Sequence, residues 1–209
     1  MDYIAQLIER YPVLASVENE IRTAYQVLER AYTNHKKLLV GGNGGSCADA
    51  EHIVGELMKG FVKKREIPKT MQERLLGLDQ ELGKQLANGL QSSLRAIAIT
   101  GHAGLSTAFA NDVDPEMTYA QQVNGYGDEG DVLLVISTSG NSKNLIYAAL
   151  TARAKDMPVV LLSGKDGGKL RAIADVSIVV PNQKTYQIQE LHLPIYHALC
   201  LQLEDKFFK

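Results

Sequence analysis

Five short apolar segments recur along the chain after its first forty residues. They lie at residues 38–40, 96–100, 132–136, 159–163 and 176–180. Nearly every position in them is apolar, without alternation, which is typical of parallel strands buried on both faces. The stretches between them predict helices, and alternation of strands with helices implies right-handed crossovers. The pattern therefore predicts the α/β class: a three-layer αβα sandwich around a mainly parallel five-stranded sheet.

The chain before the first strand predicts two helices. The first covers residues 3–10 and ends before Pro12, and the second begins after Ser16, which can serve as its N-cap. Apolar residues in the second helix recur at spacings of three and four, which forms one narrow stripe. This stripe could cover the domain's own sheet or pack on another subunit; its members are Val17, Ile21, Ala24, Leu28 and Ala31.

A segment between about 63 and 94 interrupts the alternation of strands and helices. Its leucines have a helical spacing and stand at positions 75, 78, 82, 86 and 90. Gly77, Gly83 and Gly89 weaken this helix, since each glycine costs roughly 1 kcal/mol relative to alanine. We interpret the segment as an amphipathic helical insertion that serves as a mobile lid or docks on a partner subunit.

The composition and net charge of the chain argue against several classes of protein. Among 209 residues, 45% are hydrophobic and 22% charged, with a net charge of −2, which argues against a nucleic-acid or membrane binder. The short basic run 63–65 is expected to be a solvated surface. Two cysteines make no disulfide framework, and neither a signal region nor an apolar run of about 20 residues occurs. We therefore expect a cytoplasmic protein.

The most informative loop follows the third apolar segment and reads Ser137-Thr138-Ser139-Gly140-Asn141-Ser142. Backbone N–H groups at a helix N-terminus form an anion site, and hydroxyl groups add neutral donors. Helix capping alone would need one hydroxyl, whereas this loop has four within six residues. The loop therefore predicts a phosphate site at the carboxyl edge of the sheet. The P-loop pattern is absent from it, so nucleotide hydrolysis is not supported.

A second loop, Gly41-Gly42-Asn43-Gly44-Gly45-Ser46, follows the first strand. It lacks the dinucleotide-binding pattern, and its glycines would let a sugar approach the backbone closely. In the helix that follows, His52 and Glu56 are four residues apart and share one face. Such a pair can ligate a metal, supply a base with its orienting partner, or simply be a surface pair.

The last helix of the chain carries a second group of candidates. Gln189 and His197 are eight residues apart and share a face, whereas His192 points elsewhere. The spacing indicates that one of the two histidines is structural. Pro194 lies inside this helix and should bend it or leave a carbonyl group free.

These segments together resemble the phosphoheptose isomerase family of SIS-domain proteins. The matching stretches cover most of the chain except the insertion, and they lie at residues 41–57, 110–113, 130–144, 163–170 and 188–197. STSGNS occurs widely in SIS domains, whereas its combination with D-A-x-H-x-x-x-E-L and I-Q-E-x-H-x-x-x-x-H is more specific. The resemblance implies an aldose–ketose isomerase that converts sedoheptulose 7-phosphate to D-glycero-D-manno-heptose 7-phosphate through an enediol.

The resemblance also implies residue roles. Glu56 and His197 would be catalytic, and one zinc ion per subunit, modulating or optional, would bind His52, Glu56, Gln189 and His197. Family members form homotetramers with shared active sites, which suits an N-terminal segment 1–36 in oligomerisation before an SIS domain at 37–209. The substrate-binding residues implied are Asn43, Gly44, Ser46, Asn111, Asp112, Ser137, Thr138, Ser139, Ser142 and Gln189.

Two departures from the family pattern bear on the identity of the sugar. The insertion is longer than the linker expected there, and Tyr186 stands where the family has aspartate. One alternative is a non-catalytic SIS protein of the DnaA-associating type, but that group lacks the last-helix histidine that is present here as His197. Another alternative is an isomerase or sensor for a different sugar phosphate.

Overall fold

A computed structural model describes residues 1–208 and contains one parallel sheet. Its five strands have the order β2-β1-β3-β4-β5, and every neighbouring pair is parallel. The predicted α/β class and five-stranded parallel sheet are therefore confirmed. The strands are β1 (Leu38–Gly42), β2 (Ala96–Ala98), β3 (Val132–Ser137), β4 (Val159–Ser163) and β5 (Val176–Val179).

Nine α-helices are present among the described residues. They are α1 (Tyr3–Arg10), α2 (Glu18–Thr33), α3 (Gly45–Met58), α4 (Lys69–Leu78), α5 (Gln80–Gly89), α6 (Ala103–Asp112), α7 (Thr118–Tyr126), α8 (Lys143–Ala154) and α9 (Thr185–Phe207). Within residues 1–208, no helix combines the length and apolar character that a membrane crossing requires.

The sheet divides the core into two layers. Leu134 and Ile136 of β3 point into the larger layer, which includes residues of α1, α2, α3 and α9, whereas Leu133 and Val135 point into the smaller layer with α7 and α8. Successive residues of a strand face opposite sides of a sheet, so a strand that is buried on both faces must be apolar throughout. This explains the unbroken apolar segments in the sequence.

The order of the strands determines where a ligand can bind. The chain leaves β1 to form β2 on one side, then returns to form β3 on the other side of β1. This reversal opens a crevice between the carboxyl ends of β1 and β3, which is where open α/β sheets bind ligands. The two glycine- and serine-rich loops predicted to bind a sugar phosphate both begin at these strand ends.

The apolar stripe of α2 is buried within its own chain. All five of its predicted members contribute to the larger core layer, and α2 packs against α9 and the sheet. Of the two interpretations, the structure therefore supports coverage of the domain's own core. The expectation for Ser16 was wrong: a 3₁₀ turn at Pro12–Val17 precedes α2, which makes Val17 the N-cap.

The insertion is a helical hairpin. Asp79 ends α4 and caps α5, because its side chain accepts hydrogen bonds from the backbone of Glu81 at 2.9 Å and Leu82 at 2.8 Å. The two ends of the insertion are joined by an antiparallel bridge between Glu66 and Gln91. The predicted helical character is confirmed, although it is divided between two helices. Four of its leucines are solvent-exposed: Leu78, Leu82, Leu86 and Leu90.

Candidate active site

Two loops meet at the crevice between β1 and β3. Asn43 follows β1 and Asn144 lies in the first turn of α8, and their side-chain amides exchange two hydrogen bonds of 2.9 Å. A paired amide contact of this kind fixes the separation of the loops. The sugar-binding loop predicted after β1 and the phosphate-binding loop predicted after β3 thus form one continuous surface.

The loop after β3 is compact and rich in hydroxyl groups. Ser137 Oγ lies 3.4 Å from Ser142 Oγ and accepts a 3.2 Å hydrogen bond from the backbone N–H of Gly140. Gly140 has a φ of 65°, and a Cβ there would lie 1.8 Å from the carbonyl oxygen of Gly167, so only glycine fits. The Ser142 side chain makes no capping bond to α8 within the described residues, so capping does not account for this hydroxyl.

His52 and Glu56 share one face of α3, as their spacing predicted. His52 Nε2 lies 3.3 Å from Glu56 Oε1, and Lys59 donates a 2.9 Å hydrogen bond to Glu56 Oε2. The side chain of His52 is 41% exposed, whereas that of Glu56 is 13% exposed. Glu56 therefore places a largely buried carboxylate beside a more accessible imidazole.

His197 approaches this pair from α9. Its ring centroid lies 5.0 Å from that of His52 and 5.3 Å from that of Phe61. Burial lowers the pKa of His197, and the neighbouring His52 lowers it further, while Glu56 opposes the shift. Within residues 1–208, His197 Nε2 is buried without a hydrogen-bond partner. The hydrogen-bonding capacity of this nitrogen is therefore unused among the described residues.

Gln189 and His192 have different surroundings, as predicted from their positions on α9. The Gln189 amide packs on Gly45, where a Cβ would lie 2.6 Å from Gln189 Nε2. Gln189 thus contacts the loop after β1. His192 is fully buried with its Nε2 3.2 Å from the carbonyl oxygen of Ser163, and burial lowers its pKa to about 4. His192 is therefore a structural residue.

Asn111 and Asp112 are the last two residues of α6. Both are exposed at the end of α6, and Asn111 Nδ2 donates a 2.8 Å hydrogen bond to Asp112 Oδ1. No hydrogen bond between described residues joins either side chain to Glu56, His197 or the serine loop. Tyr186, in the first turn of α9, is also exposed.

Two groups around the site were not predicted from the sequence. Tyr196 is buried, and its hydroxyl lies 3.1 Å from His52 Nδ1 and 3.2 Å from Asp49 Oδ1. Arg65 was expected to lie on a solvated surface, but it is buried and paired with Glu204. The position of Tyr196 directly before His197 was a possible signal, whereas the pairing of Arg65 with a residue 139 positions away had none.

The donor types of the predicted zinc site suit that metal, but their present arrangement does not. Imidazole nitrogen and carboxylate oxygen are common zinc ligands, and His197 Nε2 is an unpaired buried nitrogen. However, no three or more His, Cys, Asp or Glu side chains among residues 1–208 are arranged to hold a metal ion. Zinc binding by His52, Glu56, Gln189 and His197 would therefore require the side chains to move.

Comparisons with known proteins agree with the geometry. The SIS domain family model matches residues 85–164. Phosphoheptose isomerase from Nitratiruptor sp. is 36% identical over 206 residues, with 97% of this chain and 96% of the relative covered. The corresponding protein of Geobacter sulfurreducens is 35% identical, with 99% and 98% covered.

Solved structures give the same result. Phosphoheptose isomerase GmhA from Neisseria gonorrhoeae has a TM-score of 0.75 and 32% identity, with 96% of this chain and 94% of that chain covered. A phosphoheptose isomerase from Francisella tularensis has a TM-score of 0.77 and 29% identity, with 97% and 95% covered. Similarity to the relatives over nearly their whole length shows that this chain belongs to the phosphoheptose isomerase family of SIS-domain proteins.

Proposed function

We propose that this protein interconverts sedoheptulose 7-phosphate and D-glycero-D-manno-heptose 7-phosphate through an enediol. The observation that carries the proposal is the cluster of Glu56, His52 and His197. Glu56 and His52 are 3.3 Å apart, and the rings of His52 and His197 are 5.0 Å apart. The names of relatives that match over nearly the whole chain support a heptose phosphate as substrate.

Aldose–ketose isomerisation moves one proton between adjacent carbons and another between their oxygens. In the proposal, Glu56 removes the proton from C1 of the ketose and returns a proton to C2, so that the carboxylate is regenerated. His197 donates a proton to the carbonyl oxygen at C2 and accepts the proton of the hydroxyl at C1. The depressed pKa of His197 favours the neutral ring, which can first accept the proton of the C1 hydroxyl and then donate it to the oxygen at C2.

Substrate positioning is assigned to the two loops and to α9. The phosphate would bind the N–H groups at the start of α8 and the hydroxyls of Ser46, Ser137, Thr138, Ser139 and Ser142. The sugar hydroxyls would contact Asn43, Gly44 and Gln189. Asn111 and Asp112 would complete the site from an exposed helix, which is consistent with a site shared between subunits. A homotetramer is therefore part of the proposal, as is a cytoplasmic location.

Zinc is included in the proposal as an optional ligand of His52, Glu56, Gln189 and His197. When bound, zinc would polarise the substrate carbonyl and stabilise negative charge on the enediolate oxygen. A carboxylate that holds a metal tightly is less available as a base. Glu56 is therefore proposed to remove the proton from C1 when no metal is bound to it.

The proposal is tested by a proton NMR time course with sedoheptulose 7-phosphate in D₂O. We expect a heptose 7-phosphate to form with deuterium at C2, because the carboxylic acid of Glu56 exchanges its proton with solvent between the two transfers. Stoichiometric binding of the sugar phosphate without any product or deuterium exchange would contradict the proposal.

A further inference from the structure

Two successive peptide units in the loop after β3 are held by hydrogen bonds at both ends. The first unit joins Ser139 to Gly140. Its N–H group donates to Ser137 Oγ at 3.2 Å, and its carbonyl oxygen accepts a 2.9 Å bond from Asn141 Nδ2. In the next unit, the Gly140 carbonyl oxygen accepts a 3.0 Å bond from the N–H of Leu170, and the Asn141 N–H lies 3.3 Å from Ser139 Oγ. Both carbonyl oxygens therefore have donors within the protein.

The side-chain amide of Asn141 joins this loop to the turn after β4. Its Nδ2 donates to the carbonyl oxygen of Ser139, and its Oδ1 accepts a 3.1 Å hydrogen bond from the backbone N–H of Lys169. A backbone carbonyl can only accept a hydrogen bond and a backbone N–H can only donate one. These two partners therefore determine which end of the amide is nitrogen and which is oxygen.

The backbone groups that remain open in this loop include several donors. Four N–H groups have no acceptor among residues 1–208, and they belong to Thr138, Ser139, Ser142 and Lys143. Backbone N–H groups at the start of a helix attract a phosphate, whereas a carbonyl oxygen that faced the same anion would repel it. The observed hydrogen bonds thus occupy two carbonyl groups of the loop and leave donors free.

Gly140 makes this arrangement dependent on its hydrogen bonds. Its φ is 65°, and glycine adopts positive and negative φ with similar ease, so the peptide unit before it can rotate at little cost. Rotation of that unit would release the Gly140 N–H from Ser137 and carry the Ser139 carbonyl oxygen to another direction. The amide of Asn141 opposes the rotation because it holds the oxygen end of the same unit.

We propose that Asn141 is a positioning residue for the phosphate group of the substrate. Its amide holds the carbonyl oxygen of Ser139 away from the anion, and it acts through the shape of the loop rather than by contact with the substrate. The proposal rests on the phosphate site of the proposed function. Binding of inorganic phosphate tests it without turnover, so a failure of the positioning role can be distinguished from a failure of the proposed reaction.

The first test is made on the phosphate-free protein by hydrogen exchange measured with NMR. The N–H of Gly140 is buried, and in Asn141→Ala we expect it to exchange at least about tenfold faster, because its peptide unit is released. Asn34→Ala is the matched control. Asn34 is exposed at the end of α2, its Nδ2 donates 2.8 Å to the carbonyl oxygen of Arg30, and its loss should leave Gly140 unchanged. Unchanged exchange of Gly140 in Asn141→Ala would overturn the proposal.

The second test measures the Kd of inorganic phosphate by ³¹P NMR titration. We expect Asn141→Ala to raise the Kd about tenfold, which is the size of effect that one net hydrogen bond produces. Asn34→Ala should have the Kd of the wild type. An equal Kd in the wild type and Asn141→Ala would overturn the proposal.

A double substitution tests whether Asn141 acts through Ser139. If the amide positions this residue, Ser139→Ala should raise the Kd of phosphate by less than about threefold in the Asn141→Ala background, and by a larger factor in the wild type. The same factor in both backgrounds would show that the two side chains act independently, and it would overturn the proposal.

Turnover separates a role in phosphate binding from a general loss of structure. In Asn141→Ala, KM for sedoheptulose 7-phosphate should rise about tenfold while kcat changes by less than about threefold, because the groups proposed to act at the reacting carbons are intact. A lower kcat with unchanged KM would overturn the positioning role. Absence of turnover in the wild type, with phosphate affinity still lowered in the variant, would contradict the proposed reaction and support the positioning role.

Discussion

Arg65 Nε donates a hydrogen bond of 2.8 Å to Glu204 Oε1, and both side chains are buried. The same guanidinium group donates to the carbonyl oxygens of Leu57 at 2.7 Å and Glu56 at 3.0 Å, at the end of α3. Glu204 lies on α9, seven residues after His197. This ion pair therefore links the helix that carries Glu56 to the helix that carries His197.

Removal of Arg65 should strongly destabilise the fold. Glu204 also accepts hydrogen bonds from the backbone N–H groups of residues 61–63. Arg65 is its only cation partner among residues 1–208, and Arg65→Met would leave the buried carboxylate without that partner. We expect the free energy of unfolding to fall by about 3–5 kcal/mol in urea titrations. Lys64→Met removes an exposed neighbouring cation and should change it by less than about 0.5 kcal/mol. Equal effects of the two substitutions would contradict the prediction.

Glu56→Gln and His197→Ala should each abolish most turnover. The first substitution removes the base at carbon, and the second removes the group that exchanges protons with oxygen, so kcat should fall about 10²- to 10⁴-fold. Glu9→Gln, at an exposed carboxylate on α1, is the control and should retain activity. Turnover is measured by NMR, and circular dichroism checks the fold. Near-wild-type kcat in either site variant would exclude its assigned role.

Ser139→Ala should weaken substrate binding more than it changes stability. Among residues 1–208, the Ser139 hydroxyl takes part only in a long 3.3 Å contact from the backbone N–H of Asn141. Loss of a hydrogen bond to a charged phosphate costs roughly 1.5–3 kcal/mol, so KM should rise by about 10- to 100-fold while Tm hardly changes. Ser16→Ala, at an exposed serine before α2, serves as the control. A large fall in Tm with KM unchanged would show that the hydroxyl is structural.

His192 should make the fold sensitive to acid. Its pKa is about 4 in the folded protein and near 6.5 when unfolded, so the unfolded chain binds more protons between these values. The contribution of His192 to the free energy of unfolding is fully present above pH 6.5. It is lost as the pH falls towards 4, which lowers the free energy of unfolding by roughly 3 kcal/mol. His192→Gln removes this contribution. Urea titrations at pH 7.5 and 4.5 should show a smaller stability difference for the variant, and an equal difference would contradict the prediction.

Two glycines of the hairpin should respond in opposite directions to alanine. A Cβ at Gly83 would lie 2.1 Å from the carbonyl oxygen of Leu75, whereas one at Gly77 would meet no atom within 4 Å. Gly77→Ala should stabilise α4 by up to about 1 kcal/mol, since alanine is the better helix former. Gly83→Ala should separate α4 from α5. Hydrogen exchange of the hairpin amides measures both effects, and similar protection in the two variants would disprove the close approach.

The parts of the structure that follow from local pattern were predicted from the sequence. Unbroken apolar segments indicated a parallel sheet, and a spacing of four placed His52 and Glu56 on one face. Contacts between distant segments were not predictable in this way. Arg65 lies in a run of three basic residues, which predicts a solvent-exposed side chain. Its burial depends on Glu204, which only the fold brings into contact with it. The hydrogen bonds of Tyr196 likewise depend on how α9 crosses α3.

The bridge between Glu66 and Gln91 makes the hairpin an insertion that leaves and re-enters the domain at one place. Its entry and exit points are adjacent, and the hydrogen bond from Ser92 N–H to the carbonyl of Arg65 at 2.7 Å holds them together. The entropic cost of closing a loop rises only slowly with the length of the loop. A segment whose two ends are held together in this way can therefore be gained, lost or exchanged between lineages as a unit. Sequence variation in the α4–α5 hairpin can therefore change the surface of the protein while the loops at the carboxyl ends of the strands stay the same.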